Sequence, residues 1–210
     1  MDIITLRENY FCCNTYIVKN GEFAVVVDSG VAVKTLQDAL EKYGNPQVKA
    51  VLLTHAHFDH ILSLEDYIQR FNCPVYIHKK GIDNLINPVN NYSAFTDNII
   101  QIQSKNIVSL PKDKKIKIDG FDISYLYTPG HTDDSVCYVI DEVIFTGDTL
   151  FDGLIGRTDL ANSSADEMLK SLKLLNKEFC YQACFPGHGR KGSGDSVHNY
   201  LTNLLENNPI

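Results

Sequence analysis

The feature that most constrains how this chain can fold is the segment THAHFDH at residues 54–60. It directly follows residues 49–53, KAVLL, an apolar run that is typical of a buried strand. Four side chains of metal-binding types stand close together in it: His55, His57, Asp59 and His60. Where a strand gives way to a helix, the first two histidines can point to one metal ion while the last two residues turn to a second. A structural zinc site would instead use cysteines and fill all four coordination positions, so the segment predicts an open site for two metal ions.

Three further candidate ligands each follow a predicted strand: His131 in TPGHT, Asp148 in TGDT and His188 in PGHG. A glycine precedes each of them, which lets the backbone turn sharply and approach a shared site. The two remaining histidines, His78 and His198, lack this context. We expect His78 at the surface, and His198 either at the surface or packed on a helix.

Hydrophobic periodicity divides the chain into two similar halves. Strands are predicted at residues 14–18, 23–27, 49–53 and 74–77, and again at 115–118, 121–127, 136–140, 143–145 and 181–185. Helices are predicted at residues 32–43 and 61–71, after the capping box of Ser164 and Glu167, and at 197–204. Each half would form a sheet covered by helices on one face, with the two sheets back to back in a single domain of residues 1–210. Residues 81–106 are the least regular stretch, and either a lid or a plain connection fits them.

Composition limits the classes of protein to which the chain can belong. Hydrophobic residues make up 44% and charged residues 21% of the sequence, which is typical of a globular domain. The formal charge of −7 disfavours nucleic acid as a partner, and no apolar run approaches the length of a membrane span. The six cysteines form no CxxC motif and no signal peptide is visible, so we expect a cytoplasmic protein with free thiols. Its oligomeric state is left open.

The four motifs together resemble those of the metallo-β-lactamase superfamily: HxHxDH at 55–60, PGHT at 129–132, GDTLF at 147–151 and PGHG at 186–189. The segment GRTD at 156–159 resembles the glyoxalase II (hydroxyacylglutathione hydrolase) branch and its short relatives. Its Arg157 and Asp159 either form an ion pair that braces this loop, which we favour, or lie near the substrate. The resemblance covers nearly the whole chain. It implies an α/β fold of the αββα sandwich type, with four layers and the site on the rim between the two sheets.

By this resemblance, the metal ligands divide into two sets with one bridge. A first ion is expected on His55, His57 and His131, a second on Asp59, His60 and His188, with Asp148 between both. Asp28 matches a position that holds a histidine ligand in its tautomer. The two divalent ions, zinc first and iron or manganese as alternatives, would supply a hydroxide that cleaves a thioester or ester-like bond in a small molecule. The catalytic carboxylates are then Asp59 and Asp148.

Three departures from the family pattern stand out. Ser29 follows Asp28 where proline is usual, and Asp134 stands in place of a more usual glycine. The chain also ends at residue 210, shortly after His188, which leaves no room for the helical domain that contributes to glutathione binding in full-length glyoxalase II. We therefore expect a broad or small-substrate hydrolase that turns over S-lactoylglutathione weakly.

Four alternatives share part of this pattern. A sulfur dioxygenase would bind one iron through two histidines and an aspartate, here His55 or His57 with His131 and Asp148. A lactonase or phosphodiesterase of the same superfamily would differ in its pocket and not in its ligands, although a nuclease would need a basic arm that is not visible. A flavin-linked diiron electron-transfer module would carry an acid at position 57. A non-catalytic domain is disfavoured because a degenerate member would usually have lost a ligand.

Overall fold

The first sheet is built from the N-terminal half of the chain. The computed structural model describes residues 1–8, 13–178, 181 and 183–207. The six strands of this sheet are, in both chain and spatial order, β1 (Asp2–Leu6), β2 (Thr15–Asn20), β3 (Phe23–Val27), β4 (Gln47–Leu52), β5 (Val75–Ile77) and β6 (Ile107–Ser109). As the Asn-Gly pair predicts, β2 and β3 pair antiparallel across a tight turn at Gly21. The strands from β3 to β6 run parallel, because the chain crosses over between them.

The second sheet comes from the C-terminal half. In chain order the strands are β7 (Lys115–Ile118), β8 (Phe121–Tyr127), β9 (Val136–Ile140), β10 (Val143–Gly147), the short hairpin of β11 (Leu150–Phe151) and β12 (Leu154–Ile155), β13 (Ala183–Pro186) and β14 (Gly192–Ser193). All but the hairpin form one sheet with the spatial order β14-β13-β10-β9-β8-β7. The four strands predicted between residues 115 and 145 are confirmed.

Helices cover the outer faces of both sheets. They are α1 (Val33–Lys42), α2 (Leu64–Phe71), α3 (Lys79–Ile86), α4 (Ala165–Lys177) and α5 (Gly194–Asn207). Apolar side chains from α1, α2 and α3 pack on the first sheet, and those from α4 and α5 pack on the second. Within β3, Ala24 and Val26 face these helices while Val25 and Val27 face the other sheet. Because β3 is buried on both faces, its sequence is a continuous apolar run. Helices outside and two sheets inside give the order αββα, so the predicted order of layers is confirmed.

Several smaller expectations can be compared with the structure. Ser164 accepts a hydrogen bond from the amide of Glu167, so the predicted cap of α4 is confirmed. His78, expected at the surface, is instead half-buried, because it precedes α3 and its ring stacks on Tyr127 with centroids 4.2 Å apart. Residues 81–106 contain the end of α3 and a short 3-10 helix at Ser93–Phe95. None of the helices in the described ranges is long and apolar enough to cross a membrane.

The cysteines that the structure describes carry free thiols in the interior. They are Cys13, Cys73, Cys137 and Cys184, and all four are buried. Cys12 and Cys180 lie outside the described residues. The expectation of free thiols is therefore confirmed for the described cysteines.

The strands that precede the candidate ligands end at one rim of the molecule. In the second sheet, β8 and β10 both run antiparallel to β9, and β13 runs parallel to β10, so these three strands share one direction. The end of β4 reaches the same rim, where the amide of Val136 donates to the carbonyl of Thr54 at 2.9 Å. The two sheets are therefore joined directly beneath the site.

A buried tyrosine adds a second connection between the sheets. Tyr138 in β9 is fully buried, and its hydroxyl donates to the carbonyl of Leu53 at 3.0 Å and lies 3.2 Å from that of Tyr76. Both carbonyls belong to the first sheet or its exit toward the ligands. A buried hydroxyl with these partners stabilises the fold and holds the start of the ligand segment in place.

We expect Tyr138→Phe to lower the free energy of unfolding by about 1–2 kcal/mol, because the change removes the hydroxyl and leaves buried carbonyls with fewer donors. Urea unfolding of the full chain measures this. Tyr43→Phe is the matched control, since Tyr43 is 39% exposed, and its effect should stay within about 0.5 kcal/mol. Equal effects of the two variants would show that the link between the sheets contributes nothing.

Asp134 connects the loop after β8 to helix α3. It is fully buried, and its Oδ1 accepts from Asn84 Nδ2 at 3.0 Å. The same amide group also donates to Asp133 Oδ1 at 2.9 Å. A Cβ at Gly81 would lie 2.6 Å from Asp134 Oδ2, so glycine in α3 makes room for the carboxylate that replaces the usual glycine at 134. Burial raises the pKa of Asp134 to about 6.

This shift predicts a pH dependence with a definite sign. The folded state holds the Asp134 proton more tightly than the unfolded state, so this group's contribution to stability is greatest below about pH 4 and falls as the pH rises to about 6. Two pKa units correspond to about 3 kcal/mol. We expect the difference in unfolding free energy between wild type and Asp134→Asn to change by about 2–3 kcal/mol between pH 4 and pH 7, measured by urea unfolding. A difference that does not vary with pH would contradict the burial argument.

Candidate metal centre

All seven predicted ligands lie together at this rim. The ligand atoms of His55, His57 and His131 are within 4.8 Å of one another, and those of Asp59, His60 and His188 form a second such group. Asp148 satisfies the same distance with His55 and His60, so it connects the two groups. The structure therefore brings the residues together as two sets of three with one shared carboxylate.

A buried hydrogen-bond network orients His60 and His55 from behind. Asp28 Oδ2 accepts from His60 Nδ1 at 2.9 Å, so Nε2 is the nitrogen with which His60 faces the site. The Asp28 carboxylate also accepts from the amide of Thr54 at 2.8 Å and from its hydroxyl at 2.9 Å. Because the Thr54 proton goes to Asp28, its oxygen can accept from His55 Nδ1, 3.2 Å away. His55 Nε2 then carries a lone pair.

His131 is oriented by the backbone of the GRTD loop. Its Nδ1 donates to the carbonyl of Arg157 at 3.0 Å, so its Nε2 carries the lone pair and lies 2.9 Å from His57 Nδ1. The Arg157 side chain points away from this contact and forms two bonds of 2.8 Å with Asp159. The expected ion pair is confirmed, and because both side chains are exposed it contributes little to stability. The part of Arg157 that serves the site is its carbonyl.

The two carboxylates of the centre have different surroundings. Asp148 Oδ2 lies 3.5 Å from His131 Nε2 and 3.6 Å from His188 Nε2, and its Oδ1 lies 3.3 Å from His60 Nε2. Asp148 therefore faces both sets of ligands. Asp59 Oδ2 lies 2.9 Å from His188 Nε2 and 3.8 Å from His60 Nε2, so it belongs to the second set alone.

The unpartnered atoms of the cluster show that it fits metal ions. Within the cluster, four of the described buried polar atoms have no hydrogen-bond partner: His55 Nε2, His57 Nε2, His60 Nε2 and Asp148 Oδ1. Each such atom costs about 1–3 kcal/mol, and a cation satisfies several of them at once. Neutral imidazole nitrogens and carboxylate oxygens are ligands of zinc, and iron and manganese also accept them. The donor set therefore suits two divalent ions.

The electrostatics of the site favour the protonation states that bind metals at four of the ligands, His55, His57, Asp59 and Asp148, whereas Cys13 and the surrounding carboxylates outweigh burial at His60 and raise its pKa well above the usual range. Burial lowers the pKa of His57 to about 3 and that of His55 well below its usual range, so both rings are neutral at pH 7. Burial alone would raise the pKa of Asp148, but the neighbouring His60, His131 and His188 outweigh it and lower that pKa. The pKa of Asp59 is also lowered against the effect of burial, first by His60 and by its hydrogen bond to His188. Both carboxylates are therefore ionised.

One glycine allows the backbone to approach the centre closely. A Cβ at Gly187 would lie 2.1 Å from Asp148 Oδ1 and 2.7 Å from His60 Cε1, so no larger residue fits next to His188. The carbonyl of Gly187 accepts from the amide of Asn14 at 2.6 Å, which ties this loop to the first sheet. The sequence predicted that Gly187 allows a sharp turn. This glycine also leaves room for Asp148 and His60, which lie next to it.

The contacts of three residues around the site were not predicted from the sequence. Ser29 stands where proline is usual, and its amide and its hydroxyl both donate to the carbonyl of His60 at 2.9 Å, two bonds that proline could not supply. The Thr54 hydroxyl donates to Asp28 and can accept from His55 Nδ1, so it connects these two residues. Tyr92 lies with its ring 5.4 Å from His57, in a backbone conformation with φ of +65°. Only the concentration of polar and aromatic residues at 81–106 could have indicated its place.

Comparison with known proteins identifies the family. The family model described as "Metallo-beta-lactamase superfamily" matches residues 11–183. An uncharacterised protein of Mycobacterium tuberculosis is 36% identical over 194 residues, which cover 84% of this chain and 86% of that protein. A probable polyketide biosynthesis zinc-dependent hydrolase of Bacillus subtilis is 32% identical over 87% of this chain and 76% of that protein. A probable metallo-hydrolase of Streptococcus pyogenes is 34% identical over 84% of this chain and 78% of that protein.

Solved structures agree with this assignment. The crystal structure of the B3 metallo-β-lactamase BLEG-1 matches with a TM-score of 0.84 and 30% identity, covering 99% of this chain and 98% of that one. The protein TTHA1623, solved in a di-iron-bound form, matches with a TM-score of 0.78 and 27% identity, covering 100% of this chain and 99% of that one. The chain therefore belongs to the metallo-β-lactamase superfamily, as a metallo-hydrolase with the fold of that family.

Proposed function

We propose that this protein hydrolyses a thioester or ester-like bond in a small molecule, with two divalent metal ions held at the centre. The first ion would be held by His55, His57 and His131, the second by Asp59, His60 and His188, with Asp148 shared between them. The observation that carries the proposal is the position of Asp148, whose two oxygens face ligands of both sets at 3.3 to 3.6 Å. A site for a single ion has no need of this arrangement.

The relatives support two ions and zinc as the first choice. One similar protein is named a zinc-dependent hydrolase, and TTHA1623 was solved with two irons. When bound, such ions supply a hydroxide at neutral pH and polarise a carbonyl. Iron and manganese are the alternatives for the same nitrogen and oxygen ligands.

The residues of the chain contribute orientation and proton acceptance. Asp28 and the Arg157 carbonyl hold His60 and His131 with Nε2 toward the centre. Asp59 and Asp148 are ionised, so each can accept a hydrogen bond from the attacking water. Asp59 lies in the more open set, beside the one-third exposed side chain of His188, and we propose its Oδ2 as the atom that takes up the proton.

The charges at the rim favour a substrate other than a glutathione thioester. The guanidinium of Arg157 is paired with Asp159, and that of Arg190 is paired with Asp152 at 3.0 Å. Binding a carboxylate of glutathione to Arg157 or Arg190 would require that pair to break. We therefore propose glyoxalase II-like thioester chemistry on substrates that carry less charge.

Metal loading tests the two-ion proposal. We expect the purified protein, saturated with zinc, to hold about two ions per chain and Asp148→Ala to lose about one or more of them together with at least about 100-fold of its activity. Elemental analysis after desalting measures the metal content, and a thioester hydrolysis assay measures the activity. Asp159→Ala, an acid outside the ligand sets, is the control and should keep both ions. Saturation at one ion, together with oxygen uptake on persulfides, would replace the hydrolase by a mononuclear iron dioxygenase.

Substrate choice is tested by kinetics on paired thioesters. We expect kcat/KM for S-lactoylglutathione to fall at least about 100-fold below the roughly 10⁶ M⁻¹s⁻¹ of a well-matched enzyme, because contacts remote from the carbonyl also raise the rate of its cleavage. An uncharged thioester with a short acyl group should be cleaved faster under the same conditions. A rate for S-lactoylglutathione near the well-matched value would show that the paired arginines do not limit binding.

A further inference from the structure

A cleft opens beside the second set of ligands. Its volume is about 340 Å³, and it is lined by Phe151, Asp152, Leu154, His188, Gly189 and Arg190. This lies at the lower end of the roughly 300–1,000 Å³ of small-molecule sites. We propose that this cleft binds the apolar acyl chain of the substrate, so that the enzyme prefers esters and thioesters of uncharged aliphatic acids. The inference rests on the proposed hydrolase function and adds the substrate class to it.

The cleft is continuous with the reacting centre. His188 lines it and at the same time places Nε2 2.9 Å from Asp59 Oδ2 and 3.6 Å from Asp148 Oδ2. The Phe151 ring lies 6.4 Å from the His188 ring, measured between centroids. A group attached to a carbonyl at the centre therefore meets the Phe151 wall next.

The walls of the cleft are apolar and partly open to solvent. Phe151 and Leu154 face each other as paired residues of the β11–β12 hairpin. Leu154 is 67% exposed, although it is a large hydrophobic residue on a two-stranded hairpin next to a metal centre. Packing of the core does not require leucine at this position. A ligand that covers Leu154 would recover its apolar surface at about 25 cal/mol per Å².

The charged groups of the cleft are already satisfied. Asp152 accepts from Arg190 Nε and from Ser196 Oγ, each at 3.0 Å. Arg190 is thereby paired across the edge of the cleft, and its side chain is largely exposed to water. An aliphatic chain can enter without separating these partners, whereas a carboxylate would compete with Asp152 for Arg190.

Arg7 offers the competing way to bind a substrate. Its guanidinium donates to the carbonyl of Gly189 at 2.9 Å and to Asn14 Oδ1 at 3.1 Å, so it is bonded to uncharged groups at the edge of the same loop. A substrate carboxylate could use this positive charge. The effect of substituting Arg7 on the choice between anionic and aliphatic acyl groups therefore distinguishes the two kinds of substrate.

Chain-length kinetics on the zinc-loaded full chain tests the cleft. Thioesters of N-acetylcysteamine, from acetyl to octanoyl, vary the acyl group while the leaving thiol stays uncharged. We expect kcat/KM to rise about two- to fourfold for each added methylene until the cleft is filled. In Leu154→Asp the ratio of the octanoyl to the acetyl value should fall at least about tenfold. Phe95→Asp is the matched control, because Phe95 is as exposed as Leu154, at 69%, but lies beside Tyr92 on the His57 side of the centre. In this variant the ratio of the octanoyl to the acetyl value should stay unchanged.

Three kinetic results would overturn the proposal. The first is a ratio that Leu154→Asp leaves unchanged, and the second is a ratio that falls in Phe95→Asp instead. The third is a preference for the succinyl over the butyryl thioester that disappears in Arg7→Gln, since this would assign the site to an anionic acyl group.

A binding measurement separates the cleft from the catalytic proposal. N-methylhexanamide, which is neutral, carries its alkyl chain on the acyl side and lacks an ester bond, is titrated into ¹⁵N-labelled zinc-loaded protein while amide resonances are followed. We expect shifts at residues 151–154 and 189–190 in wild type, and much smaller ones in Leu154→Asp. If these shifts occur but no thioester is cleaved, the hydrolase proposal fails and the cleft stands. If thioesters are cleaved but the shifts are absent or lie elsewhere, the cleft proposal fails and the hydrolase stands.

Discussion

The buried carboxylate of Asp28 holds together the part of the structure on which the centre depends. It lies at the end of β3, is almost fully buried, and accepts from the Thr54 amide, the Thr54 hydroxyl and His60 Nδ1. A buried charge is tolerated only when it is fully hydrogen-bonded, so each of these donors has to stay in place. Through them, one carboxylate sets the tautomer of His60 directly and that of His55 through Thr54. The first and the second set of ligands are thus linked by the same group.

The backbone around Asp28 is strained to make these contacts. Its φ is +59°, a conformation that costs a residue other than glycine about 1–3 kcal/mol. The surrounding hydrogen bonds compensate for this cost. The Asp28 amide donates to Leu52 at 3.0 Å, and Ser29 donates twice to the carbonyl of His60. The ends of β3 and β4 and the start of the ligand segment are therefore tied at three points, and the strain is retained because the chain cannot relax at one point alone.

The layers and the clustering of the seven candidate ligands could be predicted from the sequence because both depend on local signals. Apolar runs such as residues 49–53 identify buried strands, and the motif that follows places His55 to His60 at a strand end. Contacts between distant segments have no such signal. Neither the fit of Asp134 against Gly81 nor the stacking of His78 on Tyr127 could be predicted, since each depends on how α3 packs against the loop after β8. The two bonds of Ser29 could not be predicted for the same reason, because their acceptor is the distant carbonyl of His60.

Exposure differs among the candidate ligands, and the most exposed of them belongs to the second set. His55, His57 and His131 are buried, as is His60, whereas one third of the His188 side chain is open to solvent. The first set is held by the strands and by hydrogen bonds to Thr54 and the Arg157 carbonyl, while Asp28 holds His60 of the second set. A change at these buried residues would disturb the fold as well as the chemistry. His188 borders the β11–β12 hairpin, where Leu150 and Ile155 pack on the core but Phe151 and Leu154 do not, so under the proposed function substrate preference would change at these two positions while the seven candidate ligands stay the same.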